Sequence, residues 1–227
     1  MADETLKGRA VLFSEMTPGA SFLQQFNDWY DREHIPVRMK CPGFVSAQRY
    51  KARDGEGYLA IYELDDAGAL STPEYQDVKN KPSDETRWML ANVTGFTRYL
   101  AAETSTRLRQ DTAVDAGLAA PVIHSVWFQV PESDGPEFDD WYETEHIPML
   151  MKSPDWLMVR RLRVLDGVPD PFTHLSIHYL AREEALNSPE RQAARSTPWR
   201  ARLAERAWFK PSYAVFRRHG GRQNGRS

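Results

Sequence analysis

One cysteine, Cys41, stands in 227 residues. It excludes an intrachain disulfide and gives no sign of an oxidising compartment. No apolar run approaches the ~18–20 residues that a membrane-spanning helix needs. The opening "MADETLKGRAVLF" lacks the long apolar core of a signal peptide, so a cytoplasmic location is expected. A marked excess of one sign of charge is missing too. The net charge of −3 gives a nucleic-acid partner no overall electrostatic support. Several catalytic signatures are missing. There is no GxSxG elbow, no glycine-rich phosphate loop after a strand, and no HExxH zinc helix. His174 and His178 could face one way on a strand, but no cysteine cluster or clear third ligand accompanies them. The expectation is therefore no metal, no cofactor, no nucleic acid and no membrane.

What the chain does have is a repeat. "FNDWYDREHIP" at 26–36 returns as "FDDWYETEHIP" at 138–148, an offset of 112. "MKCPGF" at 39–44 matches "MKSPDW" at 151–156, and Arg49 matches Arg161. Beyond the "DG" pairs at 54–55 and 166–167 the second copy carries four extra residues, and the offset becomes 116. "LAIYEL" (59–64) then matches "LSIHYL" (175–180), and "STPEYQ" (71–76) matches "NSPERQ" (187–192). These are two units of about 110 residues each, not a solenoid array.

Each unit reads alike. "RAVLFSEM" is β-favouring and stops at "TPG". Phe22, Leu23, Phe26, Trp29 and Tyr30 recur at helical spacing, and Pro36 predicts that this helix ends near His34. "FVSAQRYKA" and "GYLAIYEL" flank an "RDGEG" turn as a hairpin. A helix interrupted at Pro82 and a closing strand, "FTRYLAAE", complete the order β-α-β-β-α-β, which the second unit repeats. The expected division is a first ferredoxin-like unit over 1–103, a polar linker over 104–118, a second unit over 119–220, and a frayed basic tail, disordered over 221–227. The fold class expected is α+β, with two ferredoxin-like βαββαβ units packed sheet to sheet as an intramolecular dimeric α/β barrel. The chain would be a monomer with an internal pseudo-two-fold, or a homodimer.

On these residues the sequence resembles the dimeric α/β-barrel superfamily in a tandem fused form. The "WYxxEHIP…PGF" text resembles EthD-like members. The second half departs from it at Asp155–Trp156, where the first has Gly43–Phe44.

Candidate chemistry gathers on a few side chains. Tyr30 and His34, like Tyr142 and His146, sit at i and i+4 on one helix face. A helix C-terminus would favour a protonated imidazole and burial a neutral one; the sequence leaves this open. His34 and His146 are thus the candidate catalytic acids or bases. The bland alternative is that they brace the helix end through a backbone carbonyl. Trp29 and Trp141 read as core. Alternation on the third strand sets Leu175, Ile177 and Tyr179 against His174, Ser176 and His178, and Leu59 and Ile61 against Tyr58 and Tyr62. The aliphatic face is expected beneath the helices. His124 stands where the first half has Leu12. Candidate substrate-binding residues are Tyr30, Tyr142, Tyr58, Tyr62, His174, His178 and His124.

The resemblance and the twice-written histidine together favour a cofactor-independent isomerase, cyclase or lyase. It would act on a small carbonyl, lactone or aromatic compound in a catabolic or secondary-metabolic pathway. Two alternatives stand beside it: a haem-dependent or cofactorless quinol monooxygenase, and a non-catalytic small-molecule-binding or stress module. Differences between the halves, such as Arg38 against Leu150, Arg32 against Thr144 and Tyr62 against His178, suggest a single working site.

Overall fold

The computed structural model describes residues 6–225. The strands are β1 (Ala10–Thr17), β2 (Phe44–Ala52), β3 (Tyr58–Leu64), β4 (Thr94–Leu108), β5 (Val122–Phe128), β6 (Trp156–Val168), β7 (His174–Leu180) and β8 (Ser212–Asn224). β1 pairs antiparallel with β3 and β4, β2 with β3, β5 with β7 and β8, and β6 with β7. The hydrogen-bonded order β1-β3-β2-β8-β5-β7-β6-β4 closes on itself. The α+β, ferredoxin-like class expected from the sequence is the class found.

Two compact units divide the chain. The first comprises residues up to 102 with 165–169 and 218 onward; the second comprises 103–164 and 170–217. The segments expected to be irregular are largely ordered. Within 104–118, β4 continues to Leu108 and a short helix runs over Val114–Leu118. Residues 221–224 continue β8, because this stretch finds partners. Gln48 Nε2 donates to the carbonyls of His219 (3.0 Å) and Gly220 (3.3 Å), and Arg222 donates to Ser46 Oγ (2.9 Å). The rest of the expected tail, beyond Gly225, lies outside the described residues.

The helices are α1 (Leu23–Trp29), α2 (Ile35–Arg38), α3 (Pro73–Asn80), α4 (Asp84–Asn92), α5 (Val114–Leu118), α6 (Gly135–Trp141), α7 (Ile147–Leu150), α8 (Pro189–Ala194) and α9 (Pro198–Ala204). Their starts follow from the sequence. Thr72 and Ser188 cap α3 and α8 through the amides of Tyr75 and Arg191, each with Pro at N1, where a missing N–H costs nothing.

The repeated motif does not end its helix at the histidine. Between α1 and α2 the residues Tyr30–His34 form a π-helical turn, closed by the Ile35 amide donating to the Tyr30 carbonyl. The same turn joins α6 and α7 over Tyr142–His146, closed from Ile147 to Tyr142. The wider turn lets the chain pass through Pro36 and Pro148 without a break, since the proline ring then avoids the carbonyl it would meet in a regular helix.

Most of the motif's side chains hold the element in place. Phe26, Trp29, Tyr30 and Ile35 are buried. Asn27 and Asp31 accept from Arg49 (2.6 and 3.1 Å), whose guanidinium lies 4.4 Å over the Tyr30 ring. Asp139 and Tyr142 hold Arg161 in the same way (2.5 Å to Asp139, 4.7 Å over Tyr142). Glu33 accepts from Ser83, the N-cap of α4, and from Thr86 at 2.7 Å. Glu145 accepts from Thr197, the N-cap of α9, at 2.6 Å.

The strand faces are reversed from the expectation. Tyr58, Ala60 and Tyr62 form one core cluster with Phe26, Trp29 and Tyr30 of the first helix. Leu59, Ile61, Leu175 and Ile177 are buried on the opposite face. Alternation defines two faces but not which lies beneath the helices. Here the aromatic helix face takes aromatic partners.

Candidate functional site

Each unit has a cavity beneath its first helix, and the two differ greatly in size. The first unit's cavity has about 200 Å³ and is lined by Tyr30, His34, Arg38, Tyr62, Tyr75, Lys79 and Arg98 among apolar side chains. The second unit's has about 40 Å³ and is lined by His124, Tyr142, His146, Trp156, His178 and three arginines.

In the first unit, His34 packs against Trp29 (ring centroids 4.0 Å apart) and Tyr30 (4.9 Å). Its Nδ1 is buried and has no hydrogen-bond partner. Burial, and then the positive charges of Arg38 and Arg49, hold its pKa well below the ordinary imidazole value. His34 is therefore neutral at physiological pH. The helix-end argument for a charged imidazole does not apply, because the helix continues past it. Arg38 donates to the His34 carbonyl at 2.7 Å. Tyr30 donates to Met16 Sδ at 3.6 Å, and burial pushes its pKa up to about 12. The Tyr62 hydroxyl is buried without a hydrogen-bond partner, and burial raises its pKa strongly. The charged side chains lining this cavity, Arg38, Lys79 and Arg98, are all cationic.

The second cavity is small and its histidines are committed. Trp156, where the first unit has Phe44, donates its Nε1–H to His178 Nδ1 at 3.0 Å. His178 must then carry its proton on Nε2, which donates to Tyr142 Oη at 3.2 Å. His146 Nδ1 donates to the Ala194 carbonyl at 3.2 Å, the helix-brace role weighed for it above. Burial depresses its pKa to about 3. His124 donates to the Ala214 carbonyl at 3.3 Å and stacks on Tyr213.

Of the nine candidate residues, Tyr30, His34 and Tyr62 meet in the first cavity, and His124, Tyr142, His146 and His178 in the second. Tyr58 and His174 line neither. Tyr58 lies beneath Arg49, 5.3 Å from its guanidinium. His174 pairs with Thr173 (2.8 Å) and faces Asp139 at 3.6 Å. Sequence reasoning missed the cations from the later helices, Lys79 and Arg195. The repeat places them at equivalent positions, and that coincidence was the available signal.

No family model matches the sequence, and no curated protein does. Solved structures do. An anthrone oxidase-like protein superposes with TM-score 0.69 at 12% identity, covering 97% of this chain and 95% of its own. A putative monooxygenase from Fusobacterium nucleatum gives 0.61 at 9% identity, covering 96% and 95%. A mutant chlorite dismutase from Candidatus Nitrospira defluvii gives 0.56 at 11%, covering 97% and 96%. The chain therefore has the ferredoxin-like, dimeric α/β-barrel fold.

The leading functional expectation is corrected by this comparison. These neighbours are described as oxidase, monooxygenase and dismutase, not as isomerase, cyclase or lyase.

Proposed function

We propose that the first unit is the working site of an oxygen-dependent enzyme acting on a small, acidic hydroxy-aromatic or ring-ketone substrate of the quinol or anthrone class. The observation that carries this reading is the cavity of about 200 Å³ in which a neutral imidazole stands among cations. His34 takes a proton from the substrate. The resulting ring anion is electron-rich, and Arg38 and Lys79 offset its charge. The Tyr62 hydroxyl donates to the developing oxyanion. For a ring methylene the balance is R₂CH₂ + O₂ → R₂C=O + H₂O, with all four electrons supplied by the substrate.

A haem version does not fit these residues. His34 packs against Trp29 and Tyr30 at one wall of the cavity. The cavity is smaller than the ~300–1,000 Å³ of pockets for drug-sized ligands, and the second unit's is smaller still. Similarity to the anthrone oxidase-like and monooxygenase structures supports oxygen chemistry at the level of fold analogy. The repeated "WYxxEHIP" text supports reading the chain as two fused EthD-like units, of which the first retains the room for a substrate.

The test is oxygen uptake by the purified protein over a panel of anthrones and hydroquinones, with ¹⁸O₂ to follow label into product. Uptake that depends on substrate and disappears in His34→Ala supports the assignment. A panel without uptake, or a His34→Ala variant as active as wild type, overturns it.

A further inference from the structure

The second cavity holds a feature that the proposed reaction does not use. Arg191 on α8, Arg195 just beyond it and Arg200 on α9 all line this one small space. Arg191 gives Nη1 to the Leu186 carbonyl (2.7 Å), and Arg200 gives Nη1 to the Arg195 carbonyl (3.2 Å). Nearby arginines each have a carboxylate: Arg182 has Asp155 (2.8 Å), Arg206 has Asp134 (2.9 Å), and Arg217 has Glu183. Among the described residues, none of the three lining arginines forms an ion pair with a carboxylate. Arg191 and Arg200 are half-buried and Arg195 is exposed; like charges gathered in one place repel, and a guanidinium cannot escape by losing its proton.

The cluster belongs to this unit alone. At the three matching positions the first unit has Tyr75, Lys79 and Asp84, one cation in place of three. The space at its focus is about 40 Å³. A water needs about 10–15 Å³ of such volume, so this one suits a carboxylate or a tetrahedral oxyanion and excludes an aromatic ring. Forked guanidinium donors match the geometry of both groups.

We infer that the second unit is a binding site for a small oxyanion, held by Arg191, Arg195 and Arg200 and separate from the first unit's cavity. The site has little room for an organic substrate, because of Trp156 and the committed histidines, and at the three matching positions it carries more positive charge than its counterpart.

Inorganic phosphate and acetate, titrated separately at constant ionic strength, test this, with tryptophan emission and the unfolding temperature as readouts. Trp141 and Trp156 both line the cavity. Saturable binding of either anion is expected, and the one that binds tells a tetrahedral from a carboxylate preference. Arg191→Gln and Arg195→Gln should each weaken it about tenfold or more. Arg202→Gln removes the same charge from α9 outside the cavity and should leave it unchanged. Without anion, Arg195→Gln should be at least as stable as wild type, because it removes an unmatched charge. Lack of saturation by both anions, equal weakening by Arg202→Gln, or a less stable ligand-free Arg195→Gln protein would each overturn the inference.

Discussion

His34 and His146 occupy the same place in the same eleven residues, yet their surroundings give them different capacities. His146 spends Nδ1 on a backbone carbonyl, whereas His34 has a buried nitrogen with no partner beside a cavity several times larger. Under the proposed reaction, His34→Ala lowers kcat by about 10²–10⁴-fold, the usual worth of a general base. His146→Ala leaves turnover near wild type. Steady-state oxygen uptake distinguishes them. Tyr62→Phe makes a sharper case. The hydroxyl is buried and unpartnered, so removing it should leave stability unchanged or raise it by about 1 kcal/mol. Turnover should fall if that hydroxyl serves the oxyanion. An urea midpoint that drops in Tyr62→Phe would mean the hydroxyl has a structural role instead. The histidine, Tyr30 and Tyr62 were legible in the sequence because the repeat and strand alternation point to them. Their protonation was not, because it depends on burial and on Arg38 and Arg49, which reach the site through the fold.

At the scale of elements, the repeated motif is mostly a joint. Arg49 and Arg161 fasten each first helix to β2 or β6, and Glu33 and Glu145 fasten it to the cap of a later helix. Glu33→Ala should therefore cost about 1–3 kcal/mol, read as a lower urea midpoint at unchanged m-value. The order β-α-β-β-α-β was legible because hydrophobic period and turn residues agree along each unit. The continuous helix through Pro36 was not. A residue before proline usually leaves helical geometry, and nothing local announces a π-turn that accommodates the ring. The turn after α2 shows the same limit. Gly43 takes φ +82°, where an added Cβ would come within 2.7 Å of Ala69 Cβ. Asp155 keeps φ out of that region and still accepts the equivalent amide bond, Ala181 to Asp155 at 2.9 Å in place of Asp65 to Gly43 at 2.9 Å. The sequence flagged this departure but could not say that the hydrogen bond survives it.

At the scale of the whole molecule, buried neutral histidines set the response to acid. His146 and His174 have pKa values lowered by burial to about 3 and about 4, and His34 and His178 lie well below the ordinary value. Below about pH 6.5 the unfolded chain binds protons that the folded chain refuses. Stability is therefore full above that pH and falls as pH drops toward the folded values, by up to ~1.4 kcal/mol per pH unit for each such histidine. Urea midpoints at pH 7.5, 6.5 and 5.5 should decline between the last two, and His146→Phe should flatten the decline. An unchanged midpoint down to pH 5.5 would contradict the buried neutral state. The last strand has a consequence of another kind, concerning time. Gln48 and Ser46 are held by residues 219–222, more than 170 positions later, and the Gly225 amide donates to the Val45 carbonyl at 2.7 Å. During synthesis, β2 waits for residues that emerge more than 170 positions later. The nascent first half must leave that edge of β2 without these partners until they have emerged, a stage at which an exposed strand edge is open to the wrong neighbour.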